Sequence, residues 1–224
     1  MPSPVITPYM LSYPGRAATR ESVRSFEATD WGAPITVHVH EGTCTLKQES
    51  IAEGALSLLR RALAGPGDYF LLCEDDVLFA PRLRERLEAW APLRAGVVGM
   101  ASLYNIGAMG IADWERAIRD WEAHGRAPDF SGPLAMADAR RSSALVVDPE
   151  HAVGAQARLY SRACAAHVLR EFRPSAWIQD IAMARLAAQC GPLLYHAPSL
   201  VQHTGRTSTW GGPFHEAFDF EAAA

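Results

Sequence analysis

Glu74, Asp75 and Asp76 follow directly on the apolar run Tyr69-Phe70-Leu71-Leu72-Cys73, with no basic residue among them. Adjacent carboxylates repel one another, so a fold must separate them or supply a counter-charge. Two chemistries are open at this spacing: an acidic turn in water, or a cation site that holds a phosphate-bearing ligand. Asp180 offers a second carboxylate chemistry. At the start of a helix it either caps the helix and complements its dipole, or serves as a general base. His38 and His40 form a third pattern, because H-x-H on a strand puts both imidazoles on one face. No third ligand stands near them in sequence, and they read as half-exposed strand residues.

The elements that must position these groups are short apolar runs alternating with helix-period segments, which predicts an α/β architecture. "PVIT" opens as a strand, and "ITVHVHEG" alternates with period two, Ile35, Val37 and Val39 on one face and Thr36, His38 and His40 on the other. Ala52, Ala55, Leu56, Leu59 and Leu63 form a helix stripe that Gly65-Pro66-Gly67 stops. "YFLLC" reads as a buried central strand that delivers the acidic triplet at its C-terminal end, where open α/β sheets bind ligands. Pro81 starts the next helix, "GVVGMASLY" and "SALVV" are strands, and Trp114, Ile118 and Trp121 share a short helix face. Ser161 caps a helix with Ala165, Val168, Leu169 and Phe172 on one face, and a final helix follows Asp180 up to Gly191-Pro192. The last apolar stretch, "LLYHAPSLVQHTG", is extended. One domain is expected over 1–224.

Composition narrows the function. A hydrophobic share of 49% with 21% charged residues fits a soluble globular enzyme. The net charge of −4 argues against nucleic acid or an anionic membrane as partner. Ala95 to Ala112 is uncharged but rich in glycine, with Ser, Tyr and Asn inside it, so no transmembrane segment is expected there. The N-terminus lacks the basic and apolar regions of a signal peptide. The four cysteines are scattered, as in reduced thiols of a cytoplasmic protein.

Four pieces together resemble the nucleotide-sugar-dependent glycosyltransferases of the GT-A fold, including bacterial members and branching N-acetylglucosaminyltransferases. "VITPY…GRAATRESVRSF" is similar to their opening strand and first helix. "LLCEDDV" resembles the DxD motif, here as E-D-D. "GAQARLYSRACAAHVL" resembles the acceptor-side segment. "SAWIQDIAMARL…HAPSLVQHTGRTS" resembles the catalytic helix followed by a metal-binding histidine. These pieces span residues 5 to 209.

The resemblance implies a GT-A-like, Rossmann-like mixed and mainly parallel sheet flanked by helices. It implies a nucleotide-sugar half over about 1–104, an acceptor and catalytic half over about 105–212, and a tail over 213–224. It further implies sugar transfer from a nucleoside-diphosphate sugar, UDP-sugar favoured, to an acceptor hydroxyl. Asp76 and His203 would hold Mn²⁺ or Mg²⁺, with His196 and His215 as competing histidines. Carboxylate oxygens with one imidazole suit such hard cations, which offset the charge of a diphosphate leaving group. Thr7, Arg16, Arg20, Glu41, Glu74, Asp75 and Arg206 would bind the nucleotide sugar, and Gln156 and Trp177 the acceptor. Gly205, Gly211 and Gly212 would let a loop close over the donor. Asp180 as general base implies inversion, with Asp148 and Glu150 as the alternative carboxylates.

Three other functions compete. A sugar-phosphate nucleotidyltransferase needs an early glycine-rich loop ending in an Arg and Lys pair, which the chain lacks. A metal-dependent hydrolase needs a denser ligand set for two metals. A non-catalytic carbohydrate-binding domain would rely on Trp177 and Trp210.

Overall fold

The computed structural model describes residues 3–42, 47–105, 144–152, 154–174, 179–205, 215–217 and 219–220. Trp114, Ile118, Trp121, Trp177, Arg206, Trp210, Gly211 and Gly212 lie outside them, as does Cys44.

β3 (Tyr69–Cys73) shows why the sheet is built as it is. Its five residues are all buried, without the alternation of a half-exposed strand. Phe70 and Leu72 face one core, and Tyr69, Leu71 and Cys73 face the other. β3 therefore needs cover on both sides, and helices provide it. α2 (Lys47–Ala64), α5 (Arg162–Glu171) and α6 (Gln179–Ala187) close one face. α1 (Ala18–Glu27) and α3 (Leu83–Ala89), followed by the single turn α4 (Ala91–Arg94), close the other.

Seven strands form the sheet, in the order β2-β1-β3-β7-β5-β8-β6. β1 (Ile6–Ser12) pairs in parallel with β2 (Thr36–Val39) and with β3, and β5 (Met100–Ser102) in parallel with β8 (Leu193–His196). β7 (Ala157–Ser161) runs antiparallel between β3 and β5, and β6 (Ala144–Val146) antiparallel at the edge. Five of the seven strands thus point one way, the expected mixed and mainly parallel α/β sheet flanked by helices. A separate ribbon pairs β4 (Val77–Phe79) with β9 (Val201–His203), Val77 opposite His203. Among the described residues no helix is long and apolar enough to cross a membrane.

The α2 stripe forms as its spacing dictates, with Ala52, Leu56 and Leu59 buried, and the helix stops before Gly65. Ser161 caps α5 by accepting from the Cys164 amide at 3.2 Å. Among the described residues Cys73, Cys164 and Cys190 are free thiols.

Four details differ from the sequence expectations. β1 continues past Pro8, because β2 begins to pair only at Tyr9 and a missing N–H costs no ladder bond on that open flank. In β2 the valines face out, Val37 at 37% and Val39 at 49% exposure. The Thr/His face is the covered one, since His38 Nε2 lies 2.6 Å from Ser57 Oγ of α2. α3 starts at Leu83 rather than at Pro81, which sits in the preceding turn. β7 was not anticipated: Arg158 interrupts its apolar run, yet the side chain is buried because backbone carbonyls satisfy it.

Candidate functional site

Several chain segments end or begin at one edge of the sheet. β1 leaves it at Ser12, β3 at Cys73 and β5 at Ser102, while antiparallel β7 enters it after Gln156. The acidic triplet lies there. Its backbone is tied to β7's entry by the Glu74 amide donating to the Gln156 carbonyl at 3.0 Å.

The loop before α1 supplies the counter-charge that the triplet requires, and α1 adds hydroxyls. Arg16 in the preceding loop, then Thr19, Ser22 and Ser25, recur every third residue and face 75–79. Arg16 Nη2 reaches Asp75 Oδ1 at 2.7 Å and Asp76 Oδ2 at 2.8 Å, and Arg16 Nε adds contacts to Asp75 at 3.1 and 3.3 Å. Thr19 donates to Asp75 Oδ2 at 2.8 Å. Ser22 donates to the Asp75 carbonyl at 2.8 Å and accepts from the Val77 amide at 2.9 Å. Ser25 accepts from the Phe79 amide at 2.9 Å. The three-residue recurrence of Arg, Thr, Ser and Ser was the sequence signal available for this face.

The three carboxylates have different surroundings. Asp75 is 3% exposed and also accepts from Ser12 Oγ at 2.6 Å, so protein donors occupy both of its oxygens. Asp75 is an internal anchor, tied through both oxygens to Ser12, Arg16 and Thr19. Asp76 shares Oδ2 between Arg16 and His203, whose Nε2 lies 3.7 Å away. Its Oδ1 is buried without a hydrogen-bond partner among the described residues. Burial would raise Asp76, but His203 and Arg16 outweigh it and hold the group below the usual carboxylate range. Half-buried Glu74 behaves oppositely. Burial, then the charges of Asp76 and Asp180, push it up to about 8.

The β4–β9 ribbon brings His203 to Asp76. His203 Nδ1 donates to the His215 carbonyl at 3.3 Å, since a carbonyl can only accept, and this turns Nε2 toward the carboxylate. Burial works against a charged His203, but Asp76 and then Glu74 lift it above the ordinary value. His215 stacks behind it, centroids 4.8 Å apart, with its own Nδ1 2.6 Å from the Tyr104 hydroxyl. Burial and His203 push His215 down to about 3, so it is neutral. His215 thus supports His203 instead of competing with it. His196 accompanies neither: it packs on Trp90 and donates from Nδ1 to the Pro198 carbonyl.

Gly205 passes directly over the pair. A Cβ there would stand 2.6 Å from Asp76 Oδ2 and 2.7 Å from His203 Nε2. Only glycine fits while Asp76 and His203 keep these positions. Tyr13, at the end of β1, was not anticipated. Burial, then Glu74 and Asp75, push its hydroxyl up to about 12, and its ring meets His40 edge-on.

Asp180 sits in the first turn of α6, its Oδ2 accepting from the Gly154 amide at 2.9 Å. Buried Arg158 braces the same corner by donating to the carbonyls of Ala152, Gly154 and Asp180, with Asp180 Oδ1 3.8 Å from Nη2. Asp180 shares the acidic edge, because its charge contributes to the rise of Glu74. The alternative carboxylates are engaged elsewhere. Glu150 pairs with Arg185 on the surface, and Asp148 caps a short turn. Gln156 is buried beside Glu74, Nε2 to Oε2 3.4 Å.

Three candidates are not brought to this cluster. Thr7 lies at the other end of β1, donating to the Pro66 carbonyl. Arg20 and Glu41 are exposed, on α1 and just after β2.

No family model matches the sequence, and no curated protein matches it. Among solved structures the chain is similar to mannosyltransferase PcManGT from Pyrobaculum calidifontis, determined in complex with GDP-Man and Mn²⁺, with a TM-score of 0.47 and 15% identity. The similarity covers 88% of this chain and 58% of that one, so the chain spans less than two thirds of its length.

Proposed function

We propose that this chain is a metal-dependent glycosyltransferase that moves a sugar from a nucleoside-diphosphate sugar to an acceptor hydroxyl. The observation that carries this is Asp76. A carboxylate at the C-terminal edge of a mainly parallel sheet leaves one buried oxygen unpartnered and turns the other to an imidazole nitrogen. Orphaned anionic oxygen beside imidazole is a donor set for a hard divalent cation. Asp76 and His203 would hold Mn²⁺ or Mg²⁺, with Glu74 facing the same space. Such a cation, when bound, offsets charge that develops on a diphosphate leaving group.

The chain's own residues take the remaining work. Asp75 fixes the triplet against β1 and α1, so that Asp76 projects from a rigid backbone. His215 and Tyr104 orient His203. Asp180, held by the Gly154 amide and braced by Arg158, takes the proton from the acceptor hydroxyl, and single displacement with inversion follows. By the family resemblance, Gln156 and Trp177 would contact the acceptor and Arg206 the diphosphate. UDP is the favoured nucleotide.

Thermal unfolding with UDP, GDP and other nucleoside diphosphates, with and without Mn²⁺, tests the proposal. Ligand at 100 times its dissociation constant stabilises by about 2.7 kcal/mol. For a chain of this size that is a rise of about 5–10 °C. A Mn²⁺-dependent rise with one nucleotide supports the reading. No rise with any nucleotide refutes it.

A further inference from the structure

The contacts of Arg16 with its two carboxylates are unequal. Toward Asp75 the guanidinium uses both Nε and Nη2, and Asp75 is a buried group also held by Ser12 and Thr19. Toward Asp76 it makes one contact at 2.8 Å, through the same Nη2. That contact falls on Oδ2, the oxygen that His203 faces. The Asp75 side is therefore a hinge that survives loss of the other contact, while the Asp76 side is a single bond at a partly open carboxylate, its side chain 14% exposed.

We propose that Arg16 is a built-in stand-in for the divalent cation: it neutralises Asp76 until the cation arrives, and leaves Oδ2 when the cation binds. This rests on the metal site put forward above and adds a competitor to it. A cation held jointly with His203 Nε2 would lie against Oδ2, the oxygen that this imidazole faces, where a guanidinium and a divalent cation repel each other strongly. Loading and release of Nη2 are then one event. The released donor, still anchored on Asp75, turns to the anion that accompanies the cation, and planar guanidinium suits a diphosphate. Free Mn²⁺ should consequently bind weakly alone and tightly together with the diphosphate. By reciprocity each ligand raises the affinity of the other by the same factor.

The test is calorimetric titration of Mn²⁺ alone into the full chain and into Arg16→Gln, followed by UDP at saturating Mn²⁺. With the competing cation removed, Arg16→Gln should bind Mn²⁺ about 10- to 100-fold more tightly than the wild type, in the range of typical site couplings. It should bind UDP more weakly at saturating Mn²⁺. Should the loss of a buried partner for Asp75 unfold that variant, Arg16→Lys serves, because a lysine keeps a charge on Asp75 but lacks the fork that spans both carboxylates. Unchanged or weaker Mn²⁺ affinity in the folded variant, with wild-type UDP binding still Mn²⁺-dependent, overturns the role of Arg16 alone. Absence of Mn²⁺ binding in both proteins overturns this inference together with the glycosyltransferase proposal.

Discussion

Glu74→Gln should make the metal-free protein more stable at alkaline pH and leave it unchanged near pH 4. The folded state raises Glu74 from 4.5 to about 8, through burial and the charges of Asp76 and Asp180. Between those values the native protein holds a proton that the unfolded chain has released. Stability therefore falls as pH rises through the window, and glutamine, which does not titrate, removes that loss. At about 1.4 kcal/mol per unit the interval sets a ceiling of roughly 5 kcal/mol. Part of the Glu74 side chain is in water, which screens the neighbouring charges, so about 1–3 kcal/mol is expected. That corresponds to a melting temperature higher by about 3–10 °C at pH 9. The assay is thermal unfolding of both proteins in chelator from pH 4 to pH 9. Parallel curves across that range would refute the claim that Glu74 is crowded by like charges.

Gly205→Ala places a methyl group against Asp76 Oδ2 and His203 Nε2, so Mn²⁺ affinity should fall by about 10-fold or more while the melting temperature barely moves; calorimetry beside a melt separates the two. Asp180→Asn keeps an acceptor for the Gly154 amide but cannot take a proton, so donor and Mn²⁺ binding should persist while transfer slows by about 10² to 10⁴. A near wild-type transfer rate for Asp180→Asn would move the base elsewhere. Arg158→Met leaves the carbonyls of Ala152, Gly154 and Asp180 without their donor, at about 1–3 kcal/mol for each buried group, and a melting temperature within 2 °C of wild type would contradict that role.

What the sequence disclosed depended on how local the cause was. β3 and its acidic end were legible because five apolar residues in a row leave few alternatives to a strand covered on both faces. The meeting of Asp76 with His203 was legible only through the family resemblance, since it depends on the β4–β9 ribbon, whose strands have three residues each and no pattern of their own. Arg16 was singled out for a nucleotide, and nothing local reveals that it spans Asp75 and Asp76. Thr7 lies away from the acidic cluster for a geometric reason: it stands five positions before Ser12, roughly 16 Å back along the strand. β7 was hidden by Arg158, because a charge inside a strand defeats a reading by hydrophobicity when backbone carbonyls, here of Ala152, Gly154 and Asp180, satisfy it.

The triplet divides its labour by direction. Asp75 turns into β1 and α1, where Ser12, Thr19 and Arg16 meet it, while Glu74 feels the charges of Asp76 and Asp180. That division explains why three consecutive acids are tolerated. One is consumed as an anchor, and the outer two share a space. Charge accounting over the named residues then gives four carboxylates, Glu74, Asp75, Asp76 and Asp180, against two guanidinium groups, Arg16 and Arg158. Four less two leaves two negative charges when Glu74 is ionised and His203 neutral. Burial comes first in raising Glu74 and the charges of Asp76 and Asp180 add to it, while Asp76 and then Glu74 raise His203 against its burial. Two protons or one divalent cation would balance the same sum at the oxygen of Asp76 that His203 faces.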